Sequence, residues 1–166
     1  MAVSVFHAGA HRYGLLTSLL AIGSVTGALL AARRDRPRTS VLLTGAAVFG
    51  AGCAVAAAMP DYWLFGATLV VMGAASQTFM TSANSTIQLG TDSAMRGRVM
   101  AIYLAIAMGT TPLGAPIVGW VADVAGARWA LVVGAAAGLG AALLGVLARR
   151  AMGSDARART DSEFTR

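Results

Sequence analysis

The sequence predicts an all-helical membrane protein with five transmembrane helices. Apolar residues make up 57% of the 166 residues and charged residues only 12%, with a mean hydropathy of +0.68. The charges fall between five uncharged runs, each long enough for a helix to cross the hydrocarbon core of a bilayer. A soluble domain would instead spread its charges along amphipathic helices, so that class is excluded. We place the spans at about 13–32, 41–59, 62–90, 97–123 and 128–148.

The arginines predict the orientation of this bundle. Alternating loops put eleven of the 13 on one side of the membrane and two, Arg12 and Arg128, on the other. Because positively charged loops face the cytoplasm, we expect the N-terminus outside and the C-terminus inside. The net charge of +6 then reflects topology, and we predict no nucleic-acid partner. Cys53 is the only cysteine, so no disulfide can form within the chain.

The first span follows a short segment in which His7 and His11 lie one helical turn apart. That spacing suits a metal ion, but no third ligand is near, so we predict an ordinary solvated segment and no metal site. Within the span, Gly23, Gly27 and Ala31 form a stripe of small residues that is typical of close helix packing.

The second span is apolar and nearly featureless. It follows a basic turn at residues 33–38 and ends at a very short outer turn, so the second and third spans should be antiparallel neighbours. Its small residues on one side are Ala46, Gly50, Ala54 and Ala58.

The third span carries polar residues along one helical face in its cytoplasmic half. These residues are Gln77, Thr81, Asn84, Ser85 and Gln88. Polar amides at membrane depth face the bundle or a wet cavity. Interhelical hydrogen bonding explains single Ser or Thr residues, but five polar residues exceed what packing needs. We therefore predict a cavity-lining face.

The fourth span combines two features of a helix that bends and packs closely. Pro112 and Pro116 lie in its middle and predict bending. We expect Asp92 or Ser93 to cap its start. A seam of small residues recurs every four positions at Ala107, Thr111, Ala115 and Gly119.

The fifth span carries small residues but no polar residue at membrane depth. We therefore predict that it lies at the periphery of the helix bundle. Gly134, Gly138 and Ala142 form its small-residue stripe. Residues 151–166 are polar and mixed in charge, which predicts a disordered cytoplasmic tail.

The last third of the chain resembles the closing helices of the major facilitator superfamily, and the resemblance extends over nearly the whole chain. The strings are R-G-R-V-M-A-I-Y at 96–103 and P-L-G-A-P-I-V-G-W-V-A-D-V-A-G-A-R-W-A-L at 112–131. They are most similar to the multidrug and siderophore exporter branch. Residues 27–29 and 33–38 resemble the family's cytoplasmic loop motif, although the acid of that motif falls at Ala31.

This resemblance implies a partial facilitator-type bundle equivalent to helices eight to twelve of a twelve-helix transporter. It implies secondary active efflux of small organic molecules such as drugs or siderophores from a cell (inner or plasma) membrane, with proton coupling as an option. The family's tenth helix lines the cavity, which implies that the third span contacts substrate. Arg33, Asp35, Arg96 and Arg98 would then belong to the cytoplasmic loops.

The resemblance also implies partners. These are the lipid bilayer, a small-molecule substrate, and a missing seven-helix N-terminal portion or a partner membrane protein. Because no Asp, Glu, His, Lys or Arg lies inside any of the five uncharged runs, a proton-coupling residue would belong to that missing portion. No motif predicts a catalytic residue or a cofactor, so we predict no enzyme. The alternative is a truncated remnant without transport activity, or a helix-pairing interaction module that uses the small-residue seams.

Overall fold

Five helices follow one another along the chain with short connections. The computed structural model describes residues 10–33 and 39–164, with the side chains of residues 11–33 and 39–150. The helices are α1 (Ala10–Ala32), α2 (Thr39–Ala58), α3 (Tyr62–Gly90), α4 (Arg96–Val124) and α5 (Ala127–Phe164). His7 and Asp35 lie outside the described residues.

All five helices are long and apolar enough to cross a membrane, which confirms the predicted fold class for the described part of the chain. Helices suit this setting because each satisfies its backbone N–H and C=O groups internally, where lipid offers no partner. Most of their large apolar side chains are exposed on the surface of the bundle. In a bilayer this surface faces acyl chains.

Four of the helices pack side by side in the order α1, α3, α2, α5. α1 runs parallel to α3, whereas α2 is antiparallel to both α3 and α5, as the short outer turn after α2 predicts. Small residues make these contacts close: Gly50 of α2 meets Gly138 of α5, and Gly134 of α5 meets Cys53 of α2. The predicted stripe on α5 is therefore a packing surface against α2.

The core is a small cluster of side chains contributed by α1, α2, α3 and α5. Its buried members are Leu16, Cys53, Ala56, Phe65, Met72 and Ala135. At the predicted outer end, the Tyr62 hydroxyl donates to the Arg12 carbonyl (2.6 Å), and the Arg12 guanidinium lies 5.7 Å from the centre of the Tyr62 ring. This pair fixes the start of α3 to the start of α1.

The helix α4 makes far less contact with the bundle than the other four. It has no buried residue. Its contact with α3 includes a hydrogen bond from the Tyr103 hydroxyl to the Met80 sulfur (3.4 Å). A turn through Gly126 links α4 to α5, and the φ of 96° at this residue favours glycine. The predicted seam does not pack here: Thr111, Ala115 and Gly119 are exposed. The seam lacks a facing helix among the described residues, and small residues alone supply none.

Two helix ends differ from the sequence predictions. α4 begins at Arg96 with Met95 as its N-cap and no side-chain cap, because the backbone carbonyl of Asp92 accepts the N–H groups of Met95 and Arg96 (3.0 and 2.9 Å). Residues 151–164 continue α5 where we predicted a disordered tail. The helix of the span propagates into this segment, because extending an existing helix costs less than nucleating a new one.

Candidate functional site

The candidate site begins at the tight contact between α1 and α3. A Cβ atom at Gly23 would lie 2.9 Å from the Val70 Cα, and one at Gly27 would lie 2.7 Å from the Ala74 Cα. Backbones approach this closely only where glycine leaves out the side chain. The contact confirms that Gly23 and Gly27 form a packing stripe.

The residues of α3 that face α1 form a row with helical spacing. Gly66 meets Leu16 and Leu19 of α1, and Gly73 meets the Leu20 carbonyl. With Val70 these residues follow the i, i+4, i+7 pattern of one helix face.

The same row turns polar further along α3. Continuing the spacing from Gly73 leads to Gln77, Thr81, Asn84 and Gln88, with Ser85 beside them. The predicted polar face is therefore the continuation of the face that packs on α1. By the register of Gly27 beside Ala74, α1 ends near residue 79 of α3, so most of the polar face extends past the end of α1.

The length of α3 divides the polar face by depth. Its 29 residues rise roughly 43 Å, more than the hydrocarbon core of about 30 Å. In an upright helix with Tyr62 and Trp63 at the outer interface, about 20 residues cross the core. With the topology predicted from the arginines, Gln77 and Thr81 would lie in the cytoplasmic half of the core and residues 84–88 at the cytoplasmic interface.

The polar side chains differ in exposure. Gln77, Thr81, Asn84 and Ser85 are half-buried and Gln88 is exposed. The Gln88 amide donates a hydrogen bond to the Asn84 side-chain oxygen one turn earlier. An amide side chain carries two donor hydrogens and an acceptor oxygen. The hydrogen bond between Gln88 and Asn84 therefore leaves other donors and acceptors on both side chains for a ligand or for water.

Two pockets between the spans lie apart from this face. One of about 330 Å³ lies between α2 and α3, and one of about 280 Å³ lies among α2, α3 and α5. Neither is lined by any of the five polar residues. The cavity-lining role of that face therefore stays a prediction.

The remaining predicted site residues lie on α4 and at helix ends that are predicted to be cytoplasmic. Pro112 and Pro116 lie inside α4. Because proline has no N–H, the carbonyls of Met108 and Pro112 lack their usual donor within the helix. Arg33 directly follows α1, Arg96 begins α4 and Arg98 lies in its first turn, and all three are exposed. The structure thus places the polar face on the side of α3 that packs on α1, with only Gln77 level with α1, and it leaves the α4 prolines apart from it.

Sequence reasoning missed that the polar face of α3 continues the row that packs on α1. The signal was present, because Gly66 and Gly73 are in phase with Gln77 and Asn84. A row of small residues on one face indicates close packing against another helix. Periodicity does not say which of the four other helices that partner is.

A family model describing the Major Facilitator Superfamily matches residues 1–164. The chain belongs to the major facilitator superfamily. No curated protein and no solved structure matches it. Membership makes this facilitator chain part of a multi-pass membrane transporter, and it points away from an enzyme.

Proposed function

We propose that the chain is the C-terminal part of a secondary active exporter of small organic molecules, such as drugs or siderophores, in the cell (inner or plasma) membrane. It works with a seven-helix N-terminal portion, which supplies the other half of the alternating-access pair and any proton-coupling residue. The substrate passes the polar face of α3.

One observation carries this proposal: the row of α3 that packs on α1 turns polar at Gln77 and runs past the end of α1. Amide and hydroxyl groups in the cytoplasmic half of the membrane are costly unless they face a partner or water. The position of Asn84 and Gln88 at the cytoplasmic interface suits the entry of a substrate that is to be exported. Uncharged amides suit organic molecules that combine apolar surface with a few hydrogen-bonding groups.

Export of a fluorescent organic cation from energised cells tests the proposal. The chain is produced alone and together with a seven-helix N-terminal portion of a facilitator exporter. We expect export only from the combination, because one half cannot alternate access. Removing one hydrogen-bonding group with Gln77→Leu or Thr81→Val should weaken substrate affinity about fivefold, the effect of roughly 1 kcal/mol.

A matched control is Thr86→Val, which makes the same change on a different face of α3, where the hydroxyl donates to the Ser82 carbonyl (2.7 Å). Each variant is compared at equal membrane abundance. Export by the five-helix chain alone would contradict the need for a second half. Equal affinity in Thr81→Val and Thr86→Val would contradict the role of the polar face.

The exposed seam of α4 favours a second candidate, a helix-pairing module without transport activity. Thr111, Ala115 and Gly119 recur every four residues and are exposed, and a Cβ at Gly119 would have no heavy atom within 4 Å. Seams of this kind let another helix approach closely. A Gly119→Cys variant in a Cys53→Ala background tests this second candidate by cysteine cross-linking. A cross-link to a membrane partner in cells that show no export would support the helix-pairing module. The absence of any cross-link would refute the module.

A further inference from the structure

A groove runs along α3 between the two helices that pack on it, α1 and α2. It has a volume of about 330 Å³ and is lined by Val41, Thr44 and Val48 of α2 and by Val70, Val71 and Thr78 of α3, among others. α1 packs on Val70 and Thr78 as well, so it borders the groove on the side opposite α2. Within the described residues α1 and α2 make no helix contact. The groove therefore lies on α3 and is flanked by α1 and α2.

The lining of this groove offers an apolar surface to an occupant. Its two threonine hydroxyls are already engaged, because Thr44 donates to the Val41 carbonyl (3.0 Å) and Thr78 donates to the Gly27 carbonyl (3.4 Å). The other lining residues are apolar or glycine. In a bilayer, an open groove of this kind is filled by acyl chains. Water is not favoured there, because the lining has no free polar group to form a hydrogen bond with it.

The groove lies toward the predicted cytoplasmic end of the bundle, where the charge is positive. α2 begins at Thr39, so Val41 and Thr44 are in its first turns. By the parallel register of α1 and α3, Arg33 lies at about the level of Val41. Residues 33–38 join α1 to α2, the two helices that flank the groove, and contain four arginines against one acid, Asp35.

We propose that the groove holds an acyl chain of an anionic phospholipid from the cytoplasmic leaflet, with its phosphate beside Arg33. The apolar lining holds the chain and would accept a neutral lipid equally well. The positive end selects the anionic headgroup, as basic sites between transmembrane helices do on the cytoplasmic side. Arginine suits the phosphate because it donates two parallel hydrogen bonds.

The test measures which lipid stays bound to the full chain. The protein is reconstituted in nanodiscs of equal parts phosphatidylglycerol and phosphatidylcholine with identical acyl chains, and native mass spectrometry then identifies the retained lipid. We expect one retained phosphatidylglycerol per chain. Val48→Phe should fill the groove and abolish retention of either lipid. Arg33→Gln should keep a lipid but lower the ratio of phosphatidylglycerol to phosphatidylcholine about fivefold, the usual effect of one arginine at a membrane surface.

Each variant has a matched control on the same kind of surface. Val55→Phe changes a residue two turns further along the same face of α2, outside the groove, and Val48 and Val55 are 44% and 43% exposed. Arg128→Gln removes one positive charge on the predicted outer side and strengthens the charge bias of the topology. Circular dichroism checks that each variant keeps its helices. Both controls should retain phosphatidylglycerol as the unchanged chain does.

Three results would overturn the proposal. Retention in Val48→Phe equal to that in Val55→Phe would place the lipid outside the groove. A lipid ratio in Arg33→Gln equal to that in Arg128→Gln would show no selection of the headgroup by Arg33. A dimer of the chain without lipid would make the groove a protein contact.

Discussion

Replacing Gly23 by alanine should force α1 away from α3, because a single methyl group has no room there. A Cβ at this position would lie 2.8 Å from the Val70 carbonyl carbon and 2.9 Å from its Cα. Both are backbone atoms, which cannot rotate away as a flexible side chain can. The two helices must therefore separate by on the order of 1 Å over a contact that runs along most of α1.

The expected loss of stability follows from two opposing effects. Overpacking of a close contact costs about 1–3 kcal/mol. Alanine favours the helix over glycine by up to about 1 kcal/mol, which offsets part of that cost. We expect a net fall of about 1–2 kcal/mol in the free energy of unfolding, or roughly a 5- to 30-fold shift toward the unfolded state.

Titration of the purified chain from mild detergent into SDS measures this change, with helix content followed by circular dichroism and tertiary packing followed by tryptophan fluorescence. Gly14→Ala is the control, because it makes the same substitution in the same helix at a site with no heavy atom within 4 Å. It should be neutral or slightly stabilising. If Gly23→Ala and Gly14→Ala unfold at the same SDS fraction, α1 and α3 do not pack as described, and the register used for the polar face is lost with them.

Three further predictions concern other contacts. Gly138→Ala should destabilise the chain by about 1–3 kcal/mol in the same titration, because its Cβ would meet the backbone of α2. The control Gly140→Ala places its Cβ in open space and should leave the stability unchanged. Equal unfolding midpoints for the two variants would contradict the α2–α5 contact. Tyr62→Phe removes the hydrogen bond to the Arg12 carbonyl and should lower the free energy of unfolding by about 0.5–1.5 kcal/mol. An unchanged free energy would mean that this bond does not hold the starts of α1 and α3 together. Cys53 is 2% exposed, so N-ethylmaleimide should label it only as the chain unfolds, and rapid labelling of the folded chain would show that its site between α2 and α5 is open.

The candidate site shows what could be predicted from residues alone. Gln77 and Asn84 were recognisable because an amide inside an uncharged run is costly wherever the helix lies. Gly23 and Gly27 were recognisable because their spacing lets helices approach closely. For Thr111 and Gly119, however, the same rule predicted packing where the described structure has none. A seam of small residues allows close contact between helices, but the contact forms only where another helix faces the seam.

Patterning along the chain by itself determined the family, the helical class and the number of spans. These properties depend on local quantities: the length of an uncharged run, the spacing of glycines, and the positions of arginines between runs. Tertiary structure alone decided that α1 pairs with α3 in parallel, that α1 and α2 leave a groove between them, and that α4 stands apart. The reason is physical. Lipid accepts every apolar face equally, so hydrophobicity cannot choose neighbours among the helices, and the choice depends on the shape of facing backbones, as where Gly23 meets Val70.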